Sequence, residues 1–106
     1  MGNLFENLPD DFSEEHVLDL FNSTALRIER IVSKGHSSPT TGWYDQIEDE
    51  WVLVLQGEAC LVFADGRQLT LSAGDFMHIP AHTRHQVRHP QADKITVWLA
   101  IFFNTA

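Results

Sequence analysis

Glu50-Trp51-Val52-Leu53-Val54-Leu55-Gln56-Gly57-Glu58-Ala59-Cys60-Leu61-Val62-Phe63-Ala64-Asp65-Gly66-Arg67-Gln68-Leu69-Thr70-Leu71 is the stretch on which the fold turns. Two aliphatic runs, Glu50 to Leu55 and Glu58 to Phe63, are parted only by Gln56-Gly57, too short a break for anything but a reversal of extended chain. Ala64-Asp65-Gly66-Arg67 is a hairpin turn of the Asp-Gly kind, because the glycine supplies the positive φ that a tight β-turn needs, and Gln68 to Leu71 then pairs back.

The same pattern continues on both sides. Downstream, Ser72-Ala73-Gly74-Asp75 is another turn, Phe76 to Ile79 and Gln86 to Arg88 flank Pro80-Ala81-His82-Thr83-Arg84-His85, and Ile95 to Phe103 is a closing apolar strand. Upstream, Leu26, Ile28, Arg30 and Val32 alternate against Arg27, Glu29, Ile31 and Ser33 until Lys34-Gly35 ends the run. A loop rich in Ser, Pro, Thr and Gly, from Gly35 to Gly42, leads into Trp43-Tyr44-Asp45-Gln46, read as a further short strand. About eight short strands at regular spacing predict an all-β fold, a sandwich or barrel with antiparallel pairing.

Residues 1–25 read differently. Ser13 is a candidate N-cap, Glu14 and Glu15 would sit in the first turn against the helix dipole, and Val17, Leu18, Leu20 and Phe21 form an apolar face before Asn22-Ser23. The expectation is an N-terminal helical segment over 1–25 packed outside a barrel domain over 26–106.

Bulk properties set outer limits. A chain of 106 residues supports one core, and 43% hydrophobic with 21% charged residues is the balance of a folded globular protein. A formal charge of −8 with no Lys or Arg cluster excludes nucleic acid as an expected partner. No apolar run reaches the ~20 residues that cross a bilayer, so no membrane partner is expected. Met1-Gly2-Asn3-Leu4-Phe5-Glu6 lacks the basic start and apolar core of a signal peptide, so the expected location is cytoplasmic. The single cysteine, Cys60, lies among apolar neighbours and reads as an inert thiol.

Chemistry concentrates at two places. On a strand, Glu50 shares a face with Val52 and Val54, so its carboxylate points at a largely apolar surface, where it must be paired, hydrogen-bonded, metal-bound or protonated. His85 opens a strand whose same-face neighbours are Val87 and His89, which makes it a candidate partner.

The spacing around these residues resembles that of a known family. Glu50 is followed by six residues and Gly57; Gly74 by five residues, Pro80, one residue, His82, two residues and His85. These runs resemble the two motifs of the cupin superfamily, G-x5-H-x-H-x(3 or 4)-E-x6-G and G-x5-P-x-G-x2-H-x3-N. The resemblance covers about residues 26–103 and implies a small antiparallel jelly-roll barrel. The chain is also similar to small single-domain bacterial cupins carrying segments like Ile28-Glu29-Arg30-Ile31-Val32-Ser33, Trp43-Tyr44-Asp45-Gln46 and Pro80-Ala81-His82-Thr83-Arg84-His85.

In that family the metal ligands are two His and the Glu of the first motif and the His of the second. Here Glu50 and His85 match, as do Gly57, Gly74 and Pro80. The first-motif histidines do not: the shorter spacing puts Tyr44 and Gln46 in their places, the longer one Trp43 and Asp45. His82 stands where the family has Gly, and His89 where it has Asn.

Two readings follow. In one, Glu50, His85 and either Asp45 or Gln46, with His82 or His36 as a further donor, hold a divalent metal such as Zn, Fe, Mn or Ni, and His82 or Tyr44 transfers protons in oxygenase, isomerase or lyase chemistry on a small polar metabolite. In the other, Glu50, Gln46, Tyr44 and His85 form a hydrogen-bonded network lining a metal-free pocket that binds or senses a small molecule. Trp43, Arg84, His36, His82 and His89 are candidate ligand contacts in either case, each weighed against an ordinary surface or packing role. Ile95 to Phe103 is apolar on both faces, which a strand needs only when both are covered, so a homodimer is expected, formed through this strand or the N-terminal region.

Overall fold

The computed structural model describes residues 1–12, 15–35, 39, 41–89 and 93–104. Eight strands follow in chain order: β1 (His16–Asn22), β2 (Leu26–Lys34), β3 (Asp49–Gln56), β4 (Glu58–Phe63), β5 (Gln68–Ser72), β6 (Phe76–Ile79), β7 (His85–Arg88) and β8 (Ile95–Phe103). They form a five-stranded sheet in the order β1-β2-β8-β3-β6 and a three-stranded sheet in the order β5-β4-β7, with all pairings antiparallel. Among the described residues no helix is long and apolar enough to cross a membrane.

Alternation along each strand builds the core. Val52 and Val54 of β3, Ala59, Leu61 and Phe63 of β4, Ile79 of β6, and Trp98, Ala100 and Phe102 of β8 meet between the sheets. The apolar character of β8 on both faces follows from its central place. One face fills the core, and the other lies in the sheet's outer surface beside β2 and β3, where Leu99, Ile101 and Phe103 are half-buried.

The turn between β3 and β4 depends on Gly57. Its φ is +86°, and a Cβ there would stand 2.5 Å from the Ile95 carbonyl oxygen and 2.7 Å from Thr96 Oγ1, so only glycine fits. This close approach lets β3 reverse tightly into β4, across to the other sheet.

The expected N-terminal helix is not seen. His16–Asn22 is strand β1, paired along β2, while the proposed cap residues Ser13 and Glu14 lie outside the described residues. Val17, Leu18, Leu20 and Phe21 fit one helix face, but they equally fit a strand with one extra residue, and the register does shift between Asp19 and Phe21. Extended pairing satisfies the backbone groups along the open edge of β2, which a helix would leave bare. Trp43 to Gln46 likewise forms no strand of its own; Tyr44 makes a single bridge to His85.

Residues 1–12 cross the outer face of the larger sheet. Arg30, only 6% exposed, donates from its guanidinium to the carbonyl oxygens of Glu6 at 2.6 Å and of Leu4 and Asn7 at 3.4 Å, fastening that segment to β2.

Candidate functional site

Glu50, His85, Tyr44 and Gln46 line one cavity of about 160 Å³ between the sheets. Register explains the convergence. Glu50 stands opposite Phe102 of β8 and Ile79 of β6, while His85 stands opposite Phe63 on the facing sheet and is bridged to Tyr44. The cavity's inner wall is apolar, formed by Ile31, Val52, Leu61, Val87 and Trp98 among others.

His85 Nε2 and Glu50 Oε1 face each other at 3.6 Å, with His85 3% and Glu50 8% exposed. The imidazole is oriented by its other nitrogen, since Nδ1 lies 2.7 Å from the Thr83 carbonyl oxygen. A carbonyl only accepts, so Nδ1 carries a hydrogen, and a neutral ring then presents the lone pair of Nε2 to the carboxylate. Two lone pairs aimed at one another call for a cation between them, and a proton on Nε2 serves. Burial by itself lowers the His85 pKa, but the facing Glu50 and the Thr83 carbonyl outweigh it and hold the ring above its ordinary value. The Tyr44 ring lies 5.4 Å from the His85 ring, centroid to centroid, and that of Phe63 at 6.2 Å, which fixes the imidazole sideways.

The other sequence candidates divide between the cavity and the surface. Gln46 lines the cavity. Asp45 is turned outward, its Oδ1 2.8 Å from His82 Nδ1, and both side chains are about half or more exposed. His82 has φ +61° and donates its N–H to the Gln46 carbonyl oxygen, so it occupies with some strain a turn position suited to glycine. Its ring, with Arg84, borders a surface hollow beside Arg67 rather than the cavity. Trp43 is exposed and absent from the cavity wall. His89 places Nε2 3.0 Å from Ser33 Oγ, two positions beyond Val87. His36 lies outside the described residues.

Charged groups just before β1 and on β2 also enter the wall, which the motif spacing does not point to. Glu15, Arg27 and Glu29 line the cavity with the Glu50 pair. The Arg27 guanidinium lies over the Phe102 ring at 4.2 Å, with Glu29 at 3.0 Å and Glu48 at 3.2 Å. Its Nε faces Glu29 off the N–H axis, so that contact is ionic rather than an aligned hydrogen bond. Burial raises the Glu29 pKa; Arg27 pulls it down, and Asp19, directly opposite on β1, pushes it up again. The signal was present in the β2 alternation, which puts Arg27 and Glu29 on the same face as Ile31.

The metal reading meets a shortage of ligands. Catalytic metals ordinarily take three protein donors, and the motif positions here offer one imidazole and one carboxylate, with Tyr44 and Gln46 in the places where the motif has its other two histidines. Among the described residues no three of His, Cys, Asp and Glu converge. The described side chains do not fit a resident metal.

Comparison with known proteins gives a consistent picture. The family described as Cupin domain matches residues 30–102. The chain is similar to a protein of Ralstonia eutropha JMP134 whose crystal structure is described as that of a proposed mannose-6-phosphate isomerase, at 39% identity over 99% of this chain and 98% of that one, with a TM-score of 0.90. Its fold is also shared by a cupin superfamily protein of Desulfitobacterium hafniense, at 22% identity, 92% and 84% coverage and a TM-score of 0.77. A cupin of Methanocaldococcus jannaschii with a double-stranded β-helix fold gives 16% identity, 92% and 86% coverage and a TM-score of 0.74. No curated protein matches the sequence significantly.

Proposed function

The chain belongs to the cupin family, and from that premise we propose that it binds a small metabolite in the cavity at Glu50 and His85, where this pair exchanges a proton with the ligand without a resident metal. The observation that carries the reading is the buried, facing pair at 3.6 Å with its tautomer set by Thr83. A buried pair that holds a proton and faces a cavity suits general acid–base work, and the proton shifts of an isomerisation or an elimination need only such a group. The isomerase description of the Ralstonia protein supports the reaction class. Tyr44, packed on His85 in the same cavity, is the second proton-carrying group within reach of a ligand there.

The test is a thermal-shift screen of small hydroxylated and amine metabolites against the whole protein in EDTA, repeated after adding Fe(II), Zn, Mn or Ni. Stabilisation in EDTA that is lost in Glu50→Gln and His85→Ala supports the proposal. Stabilisation that appears only with a metal would overturn it and return Gln46 or His36 to the ligand set.

We also propose a homodimer. Val17 is 54% exposed, Leu18 47%, Leu20 43% and Phe21 54%, so both faces of β1 present apolar side chains to solvent at an open sheet edge, a surface that pairing with a second copy would cover.

A further inference from the structure

The cavity's size, wall charge and unused acceptors together define a ligand class. At about 160 Å³ it is close to the engineered apolar cavity of about 150 Å³ that accepts benzene. A hexose phosphate has well over twice the heavy atoms of benzene and cannot be enclosed here.

Wall charge points the same way. Among the described lining residues Glu15, Glu29 and Glu50 face the space against two positive groups, the His85 imidazole, which Glu50 faces at 3.6 Å, and Arg27, which Glu29 and Glu48 hold at 3.0 and 3.2 Å. An incoming anion would have to displace those carboxylates from Arg27 or sit beside them in a partly dry site, where like charges repel strongly.

The third observation is Glu50 itself. It is 8% exposed, and among the described residues its only partner is His85 at 3.6 Å, so most of the acceptor capacity of its carboxylate faces the cavity unused. Buried acceptors are matched by donors. Beyond Glu50 the wall turns apolar, with Val52, Leu61 and Trp98.

We infer that the cavity selects a compact ligand with an apolar body about the size of one six-membered ring and a hydroxyl or ammonium head that donates to Glu50, and that it rejects carboxylates and phosphate esters. The inference rests on the proposed pocket and narrows its substrate class. Arg27 then acts as a specificity residue: lying along Phe102, it narrows the mouth and keeps Glu29 in the wall.

The test uses the full-length protein at neutral pH and four probes: benzyl alcohol, benzylamine, benzoate and mannose 6-phosphate, followed by NMR of the His85 ring and the Trp98 indole. Binding of either donor probe, with benzoate at least about tenfold weaker and no response to mannose 6-phosphate, supports the inference. Benzoate or mannose 6-phosphate binding as tightly as the donor probes, with the same resonances moving, overturns the ligand class and leaves the pocket standing. No movement of either resonance with any probe overturns both. No variant is needed, so the outcome does not depend on a mutant folding.

Discussion

Gly57→Ala should damage this protein far more than the same change at another glycine of similar backbone conformation. Gly57 and Gly66 have φ of +86° and +98°, so alanine at either is forced into the left-handed region, at a cost of roughly 1–2 kcal/mol. At Gly66 nothing lies within 4 Å of the added methyl. At Gly57 it meets the Ile95 carbonyl oxygen at 2.5 Å, Thr96 Oγ1 at 2.7 Å and Thr96 Cα at 2.9 Å, two of them backbone atoms of β8 that cannot swing aside. Overpacking of this kind adds about 1–3 kcal/mol, giving about 2–5 kcal/mol in all for Gly57→Ala. For a domain near 100 residues each kcal/mol moves Tm by roughly 4–8 °C, so Gly57→Ala should lower Tm by about 8–40 °C and Gly66→Ala by about 4–16 °C. Both variants are to be melted by circular dichroism at one protein concentration, because a dimer's Tm depends on concentration. If Gly57→Ala costs no more than Gly66→Ala, β3 and β8 do not approach as described, and the geometry placing Glu50 beside Phe102 falls with them.

Four further outcomes follow from the structure. His85 should titrate above an ordinary histidine, and Glu50→Gln should bring it down, read by ring NMR across pH; an unchanged His85 in the variant would remove Glu50 as the cause. Because the folded-state pKa is the raised one, the pair stabilises the fold fully below about 6.5 and loses that contribution as pH rises through the higher folded value, so wild-type Tm should fall over that window more steeply than that of Glu50→Gln. Arg30→Met, which removes the donors to the Leu4, Glu6 and Asn7 carbonyls, should cost about 1–3 kcal/mol and open residues 1–12 to limited proteolysis, whereas a digestion pattern identical to wild type would refute the clamp. Phe21→Glu should reduce the light-scattering mass from dimer to monomer; a wild-type monomer at micromolar concentration would remove the case for assembly through β1.

The strands from β2 onward were legible because alternation and turn chemistry agreed: Asp65-Gly66 fixed one hairpin, Gly57 another reversal, and Glu50, Val52 and Val54 do share the inward face. Illegible elements were those decided by partners far along the chain. Val17 to Phe21 is compatible with two periodicities, and only the open edge of β2 selects the extended one. Asp45 and Gln46 are adjacent, yet one turns to His82 and the other into the cavity, because the backbone there is held by single contacts, Tyr44 to His85 and the His82 N–H to the Gln46 carbonyl. Arg27 and Glu29 share the inward face of β2 with Ile31, but nothing local to β2 says that this face borders a cavity, which the facing sheet and the β1 side together enclose.

The two missing histidines change what the remaining pair can do. With four ligands converging, a metal would occupy the point between Glu50 and His85, and each lone pair would be committed to it. With Tyr44 and Gln46 in those places, the Glu50 carboxylate and His85 Nε2 face each other among the described residues, and the charge that reconciles them is a proton. Such a proton is exchangeable, since the pair holds it by a contact of 3.6 Å rather than by a short hydrogen bond, and a ligand hydroxyl that donates to Glu50 and accepts from His85 would replace that one long contact by two shorter ones. The gap is therefore the feature to follow in a liganded structure. A donor head seated between Glu50 Oε1 and His85 Nε2 would make the pair a binding and proton-transfer site at once, and a head bound at Arg27 with the 3.6 Å gap unchanged would show that the pair is structural.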